Sequence, residues 1–193
     1  MAQRPDFVTI VSGVPRSGTS LMMSMLVAGG LEPMQDGVRA ADEDNPRGYF
    51  ELEAVKQLKK DASWVPAAAG KVVKVVHVHV RNLPVEGVKY RLLLMRRDLK
   101  EVLRSQRKML ERRGQPGGAL SEERTAQLYT QQLADLEAWL AGQKAFEWMP
   151  VDYGALVEDP APHAAAVNRF LGGGLDEAAM RAQVDPKLRR SNK

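Results

Sequence analysis

The residues with the clearest chemistry lie between Gly13 and Ser20, in the run Gly-Val-Pro-Arg-Ser-Gly-Thr-Ser. An apolar run, Phe7 to Val11, enters this loop, and a helical pattern leaves it at about Thr19. A strand, a glycine loop and a helix in that order aim backbone N–H groups and a helix N-terminus at a phosphate-like anion. Gly13 and Gly18 have the spacing of the nucleotide-triphosphatase loop G-x-x-x-x-G-K-[ST], and Ser20 stands where its last hydroxyl belongs. The lysine position, however, holds Thr19, and the loop's cation is Arg16, three residues earlier. The pattern suits an anion, but not the magnesium-bound γ-phosphate of ATP.

A second chemical segment runs from Leu92 to Gln106 and again passes from a strand end into a helix. Arg97 falls at the strand's C-terminal edge, where open parallel sheets bind ligands. Ser105 follows eight residues later, about two helical turns on. A guanidinium fork and a hydroxyl so placed can hold a second phosphate. The same arginine-rich pattern also describes a solvated, salt-bridged helix face.

The elements that must position these groups follow from periodicity and punctuation. Ser20 to Val27 reads as a helix with Met22, Met23 and Met25 as core filler, closed by Gly29-Gly30. Residues 31 to 48 read as a loop. A helix is expected from near Glu51, with Leu52, Val55 and Leu58 on one side. Lys71 to Val80 and Arg91 to Met95 are expected strands, the second apolar from Leu92 on as in a parallel sheet covered on both faces. Asp98 is placed to cap a helix running to about Arg112, and Gln115 to Gly118 breaks the chain. A longer helix is expected from Ser121 to Ala141, then a strand from Phe146 to Tyr153 in which Pro150 is an awkward member. Helices over Ala161 to Phe170 and Asp176 to Gln183 precede a basic tail. This alternation predicts an α/β class, a three-layer fold around a mostly parallel sheet, in one domain over 1–193.

Composition narrows the function classes. With 44% hydrophobic and 27% charged residues, the chain has the balance of a soluble globular protein. No apolar stretch reaches a membrane span, and Met1 to Asp6 lead into the first strand without a signal-peptide pattern, so a cytoplasmic location is expected. The absence of cysteine excludes thiol catalysis and disulfides. A net charge of +4 suits anionic ligands. With no nucleic-acid motif and only 6% aromatics, no nucleic-acid partner is expected.

Taken together, these segments resemble the sulfotransferases that use 3′-phosphoadenosine 5′-phosphosulfate (PAPS). Val14 to Ser20 is similar to their 5′-phosphosulfate loop, P-[KR]-S-G-T-[ST], in the arginine form of tyrosylprotein and bacterial members. Arg96-Arg97-Asp98 through Ser105 resembles their 3′-phosphate element. Val151 to Pro160, followed by Phe170-Leu171-Gly172, is similar to their Y-E-D-L…D-P…F-L-G stretch, and Asn45 to Glu51 resembles a bacterial N-P-x-G-[YF]-x-E segment. The four occur in the family's order over most of residues 8–172. The resemblance implies a P-loop NTPase-like sulfotransferase fold. It implies PAPS as donor, adenosine 3′,5′-bisphosphate (PAP) as product, no metal, and a small-molecule or peptide acceptor. Pro15, Arg16, Ser17, Gly18, Thr19 and Ser20 would bind the 5′-phosphosulfate, Arg97 and Ser105 the 3′-phosphate, and Tyr153 would lie near the adenine. The basic tail Lys187 to Arg190 would either reach the donor phosphates or stay solvated.

Transfer to a hydroxyl or amine also needs a group that takes the acceptor's proton. Glu51 and His77 are the candidates, with Asp42, Glu43 and Asp44 a weaker acidic group. Lys74 and His77 lie near the strand where cytosolic members carry K-T-H. In a regular strand, His77 would face away from Lys74, whereas counting back from Leu83-Pro84 places His77 in register with the family histidine. Two other function classes are the alternatives: a small P-loop nucleotide kinase, against which Thr19 at the lysine position counts, and a non-catalytic module that binds PAP or another nucleotide.

Overall fold

The computed structural model describes residues 5–38, 48–115 and 120–185. Asn45 to Arg47, the acidic group at 42–44, Pro116 to Gly118 and the basic tail lie outside the described residues. Five strands, β1 (Phe7–Ser12), β2 (Glu32–Pro33), β3 (Lys71–Lys74), β4 (Lys89–Arg96) and β5 (Phe146–Asp152), form one sheet in the order β2-β3-β1-β4-β5. All four pairings are parallel. β1 is central, with Ile10 opposite Val73 on one side and Leu92 on the other.

Alternate residues of these strands face opposite layers. Ile10, Val73, Leu92 and Leu94 pack on one face with Val102 of α2 (Leu99–Arg112) and Leu133, Leu136 and Leu140 of α3 (Glu122–Ala141). Val11, Val72, Leu93 and Met95 pack on the other with Met22, Met23 and Met25 of α1 (Thr19–Ala28). Tyr153 of α4 (Tyr153–Glu158), Val167 of α5 (Pro160–Phe170) and Met180 of α6 (Glu177–Arg181) complete that second layer. Both faces are covered, which is why Val72-Val73 in β3 and Leu92 to Met95 in β4 form unbroken apolar runs. The expected three-layer α/β fold is present.

Helix starts follow their caps. The Asp98 carboxylate accepts from the Lys100 and Glu101 backbone N–H groups, and Ser121 accepts from Arg124 N–H. Asp152 and Asp159 cap α4 and α5 in the same way. Pro150 is accommodated because β5 is an edge strand paired only to β4.

Three expectations are corrected. The valine-rich run does not stay a strand to Val80. β3 ends at Lys74, level with Val11 near the end of β1, and the chain turns into a 3-10 helix, His77–Asn82. The segment after Glu51 forms a short 3-10 helix, Glu53–Gln57, instead of an α-helix. The stretch read as a loop from residue 31 contains the two-residue edge strand β2.

Candidate functional site

β1 delivers the glycine loop to the C-terminal edge of the sheet, where the chain's connections diverge to either side of the central strand. A side chain at Gly13 would collide with the Ser17 hydroxyl and the Met95 carbonyl. Gly18 has φ 100°, and a Cβ there would enter the Tyr153 ring. Between them Arg16 adopts φ 72°, a conformation that costs a non-glycine residue about 1 kcal/mol or more. α1 then begins with no side-chain cap and no acidic residue in its first turn. Its N-terminus therefore presents a positive dipole end.

The carbonyl of Arg16 accepts a 3.0 Å hydrogen bond from the Arg97 guanidinium, and its own Nε donates to Ser105 Oγ at 3.0 Å. Arg97 also pairs with Glu101 at 3.0 Å and lies 4.3 Å over the Tyr153 ring. The fold thus brings Arg16, Arg97, Ser105 and Tyr153 together around one loop, although they are far apart in the chain. Glu101 and the Arg16 carbonyl together fix the Arg97 guanidinium beside the loop.

The cation missing at Thr19 is supplied from β3. Lys74 Nζ donates to Ser20 Oγ at 3.3 Å and to the Tyr49 carbonyl at 2.9 Å. It also lies 3.8 Å from Glu51 Oε1. Glu51 is thereby held one ion pair away from the loop's last hydroxyl.

Pro15, Arg16, Gly18, Thr19, Ser20, Lys74, Glu51, Arg97, Ser105 and Tyr153 line a common cavity of about 510 Å³. Two expected members do not line it. The Ser17 hydroxyl is buried beneath Gly13 without a hydrogen-bond partner, and its backbone N–H donates to Val14. His77 is buried: its Nε2 sits 2.8 Å from Gln132 Oε1, and its ring meets Tyr129 edge-on. Its backbone N–H donates to Gly13 O, so it adjoins the loop from behind. The histidine that lines the cavity is His79, two residues on. Burial, and after it the neighbouring His77 and Lys59, hold its imidazole below the usual histidine value.

The sequence reading also missed a wall of cations. Arg104, Lys108, Arg112 and Arg113 of α2 and its C-terminus line the cavity, as does Lys56. The signal was present in the spacing of 104, 108 and 112, one face of a helix. The other face carries Arg107, which is ion-paired to Glu122 at 2.7 Å. No group of three His, Asp or Glu among the described residues could hold a metal ion.

A parallel α/β sheet with a lysine-less glycine loop, held by its own Arg16 and by Arg97 just beyond β4, defines an α/β fold of the P-loop kind. The chain belongs to the sulfotransferase domain family, whose model matches residues 6–186. Among solved structures it is similar to the sulfotransferase domain of the Synechococcus PCC 7002 olefin synthase, at 17% identity and a TM-score of 0.57, covering 99% of this chain and 90% of that one. It is also similar to the sulfotransferase domain from the curacin biosynthetic pathway, at 14% identity and a TM-score of 0.57, covering 95% of this chain and 79% of that one. At such identities the likeness is one of fold. No curated protein sequence matches the chain significantly.

Proposed function

We propose that this sulfotransferase domain takes its sulfuryl group from PAPS and passes it to a hydroxyl or amine acceptor. The observation that carries this reading is the convergence of Arg16, Lys74 and Arg97, from three separate elements, on one glycine loop at a helix N-terminus. PAPS supplies a sulfuryl group on a phosphate leaving group. Arg16, Gly18, Thr19, Ser20 and Lys74 would hold its 5′-phosphosulfate, Arg97 and Ser105 its 3′-phosphate, and Tyr153 its adenine. Pro15 would face the donor from the cavity wall, and Ser17 shapes the loop from within. Positioned cations stabilise charge that develops on the leaving oxygen, and they act strongly in a partly enclosed site.

Glu51 is the proton acceptor we assign, because its ion pair with Lys74 holds it beside Ser20. His77, buried against Gln132, is not in the cavity, and His79 is the histidine that could substitute. The decisive experiment is incubation with sulfur-labelled PAPS and a panel of phenols, alcohols, amines and sugars, followed by mass analysis. Label in an acceptor, with PAP released, is the expected result. Tight PAP binding with no acceptor labelled would make the chain a nucleotide-binding module, and magnesium-dependent ATP turnover would make it a kinase.

A further inference from the structure

Glu51 follows a strained piece of backbone. Phe50 adopts φ 51°, a left-handed conformation that persists in a bulky residue only where its surroundings hold it. On either side of it, the Tyr49 carbonyl and the Glu51 carboxylate both face Lys74 Nζ, at 2.9 and 3.8 Å. The Phe50 side chain packs with the α1 cluster of the core and Leu52 with the α2 cluster.

The backbone between them is held by Asp36. The Asp36 N–H donates to the Glu51 carbonyl at 3.2 Å, and its carboxylate accepts from the Glu53 N–H, 17 residues away. Glu53 opens the 3-10 helix, and Leu52 at its N-cap supplies no side-chain acceptor, so Asp36 caps that helix from a distance. The second carboxylate oxygen accepts from the Val38 N–H at 3.1 Å, which fixes the side chain. The Glu53 N–H, and after it the Val38 N–H, hold the Asp36 carboxyl below the usual aspartate value, so it is an ionised acceptor at neutral pH.

Asp36 is itself tied to the strand that carries Lys74. β2 pairs with β3, Met34 N–H donates to the Val72 carbonyl at 2.9 Å, and Lys71 is ion-paired with Glu32 at 2.6 Å. A closed circuit results. It runs from β3 to β2, on to Asp36, across to the backbone at Glu51, and back through the Glu51 carboxylate to Lys74 of β3. Asp36 does not line the cavity, so any effect on the reaction passes through Glu51.

We infer that Asp36 is a positioning residue for Glu51: it clasps the backbone at the Glu51 carbonyl and the Glu53 N–H and so holds the Glu51 carboxylate against Lys74. The catalytic consequence rests on Glu51 as the proton acceptor proposed above; the placement does not.

The placement can be read without substrate. A water-soluble carbodiimide joins a carboxylate to an ammonium beside it, so the rate of Glu51–Lys74 cross-linking in the whole chain, followed by peptide mass analysis, reports their pairing. Asp36→Ala should slow it severalfold. Asp36→Asn keeps one acceptor oxygen and should fall between. Asp61→Ala removes a similar exposed acceptor, that of the Ser63 N–H, and should leave the rate unchanged. Melting curves check that each variant folds. In turnover with PAPS and a labelled acceptor, Asp36→Ala should lower kcat by about tenfold or more, with KM for PAPS and Kd for PAP little changed. In the Glu51→Gln background the same substitution should do nothing further. Equal cross-linking in Asp36→Ala and wild type overturns the inference, as does a full further loss of kcat in the Glu51→Gln background. Full turnover in Glu51→Gln alone would instead overturn the base reading, and the cross-link would still depend on Asp36.

Discussion

At the scale of single residues, Gly18 is where the donor loop meets Tyr153. Its φ of 100° and the ring against its missing Cβ mean that Gly18→Ala has to move either the loop or the tyrosine. The substitution should cost about 1–3 kcal/mol in urea unfolding and weaken PAP binding as well, since Tyr153 also backs Arg97. A variant as stable as the wild type would show that the loop yields cheaply. Glu51→Gln keeps the shape of the side chain while removing the base. Turnover should fall by about 10²–10⁴ with PAP affinity little changed. Unchanged turnover, with loss in His79→Gln instead, would transfer the role to His79. That histidine also gives the fold a pH signature. Its pKa is lowered on folding, chiefly by burial, so the unfolded chain binds the proton more readily. The stability involved is complete above the unfolded value of about 6.5 and is lost as pH falls through the lower folded value. Melting temperature should therefore drop more steeply on acidification through that window in the wild type than in His79→Gln. Parallel curves would count against it.

At the scale of elements, α2 joins the two halves of the proposed donor site, because Arg97 precedes its cap and Ser105 lies in its second turn. Asp98→Ala removes the acceptor of two backbone N–H groups and should cost about 1 kcal/mol. Because the first turn also carries Glu101 against Arg97, PAP affinity should fall with it. An exposed cap elsewhere, such as Ser121→Ala, should lower stability and leave PAP affinity alone. These local devices were legible in the chain. The glycine loop, the Asp98 cap and the apolar β4 are short-range patterns, and each stands where its residues predict. What was not legible depended on a neighbour. Nothing in Lys71 to Val80 says that pairing stops at Lys74, because the limit is set by how far β1 extends beside it. The turn that follows then puts His77 inward and His79 at the cavity, and no strand alternation could have given that result. The cations of α2 were visible as a helical face, but which face met the cavity depended on where α2 docked.

At the scale of the whole molecule, ligand binding and folding stability are linked. A donor analogue that binds only the folded chain at a hundred times its Kd adds about 2.7 kcal/mol, or roughly 5–10 °C for a chain of this length. PAP should raise the melting temperature by that order, and Arg97→Ala should largely abolish the rise; a full rise in the variant would remove Arg97 from the 3′-phosphate site. No helix among the described residues is long and apolar enough to cross a membrane. The sheet order has a further consequence, in the timing of assembly. The glycine loop and α1 are consecutive in the chain, but the side chains that meet the loop from other elements are not. Lys74 is 54 residues from Ser20, Arg97 is 81 from Arg16, and Ser105 is 89 from Arg16. On a growing chain the loop and its own Arg16 emerge well before Lys74 and Arg97. Its grip on an anion appears only after β3 and β4 have closed on either side of β1, so donor affinity measures completed long-range sheet pairing and not the loop motif alone.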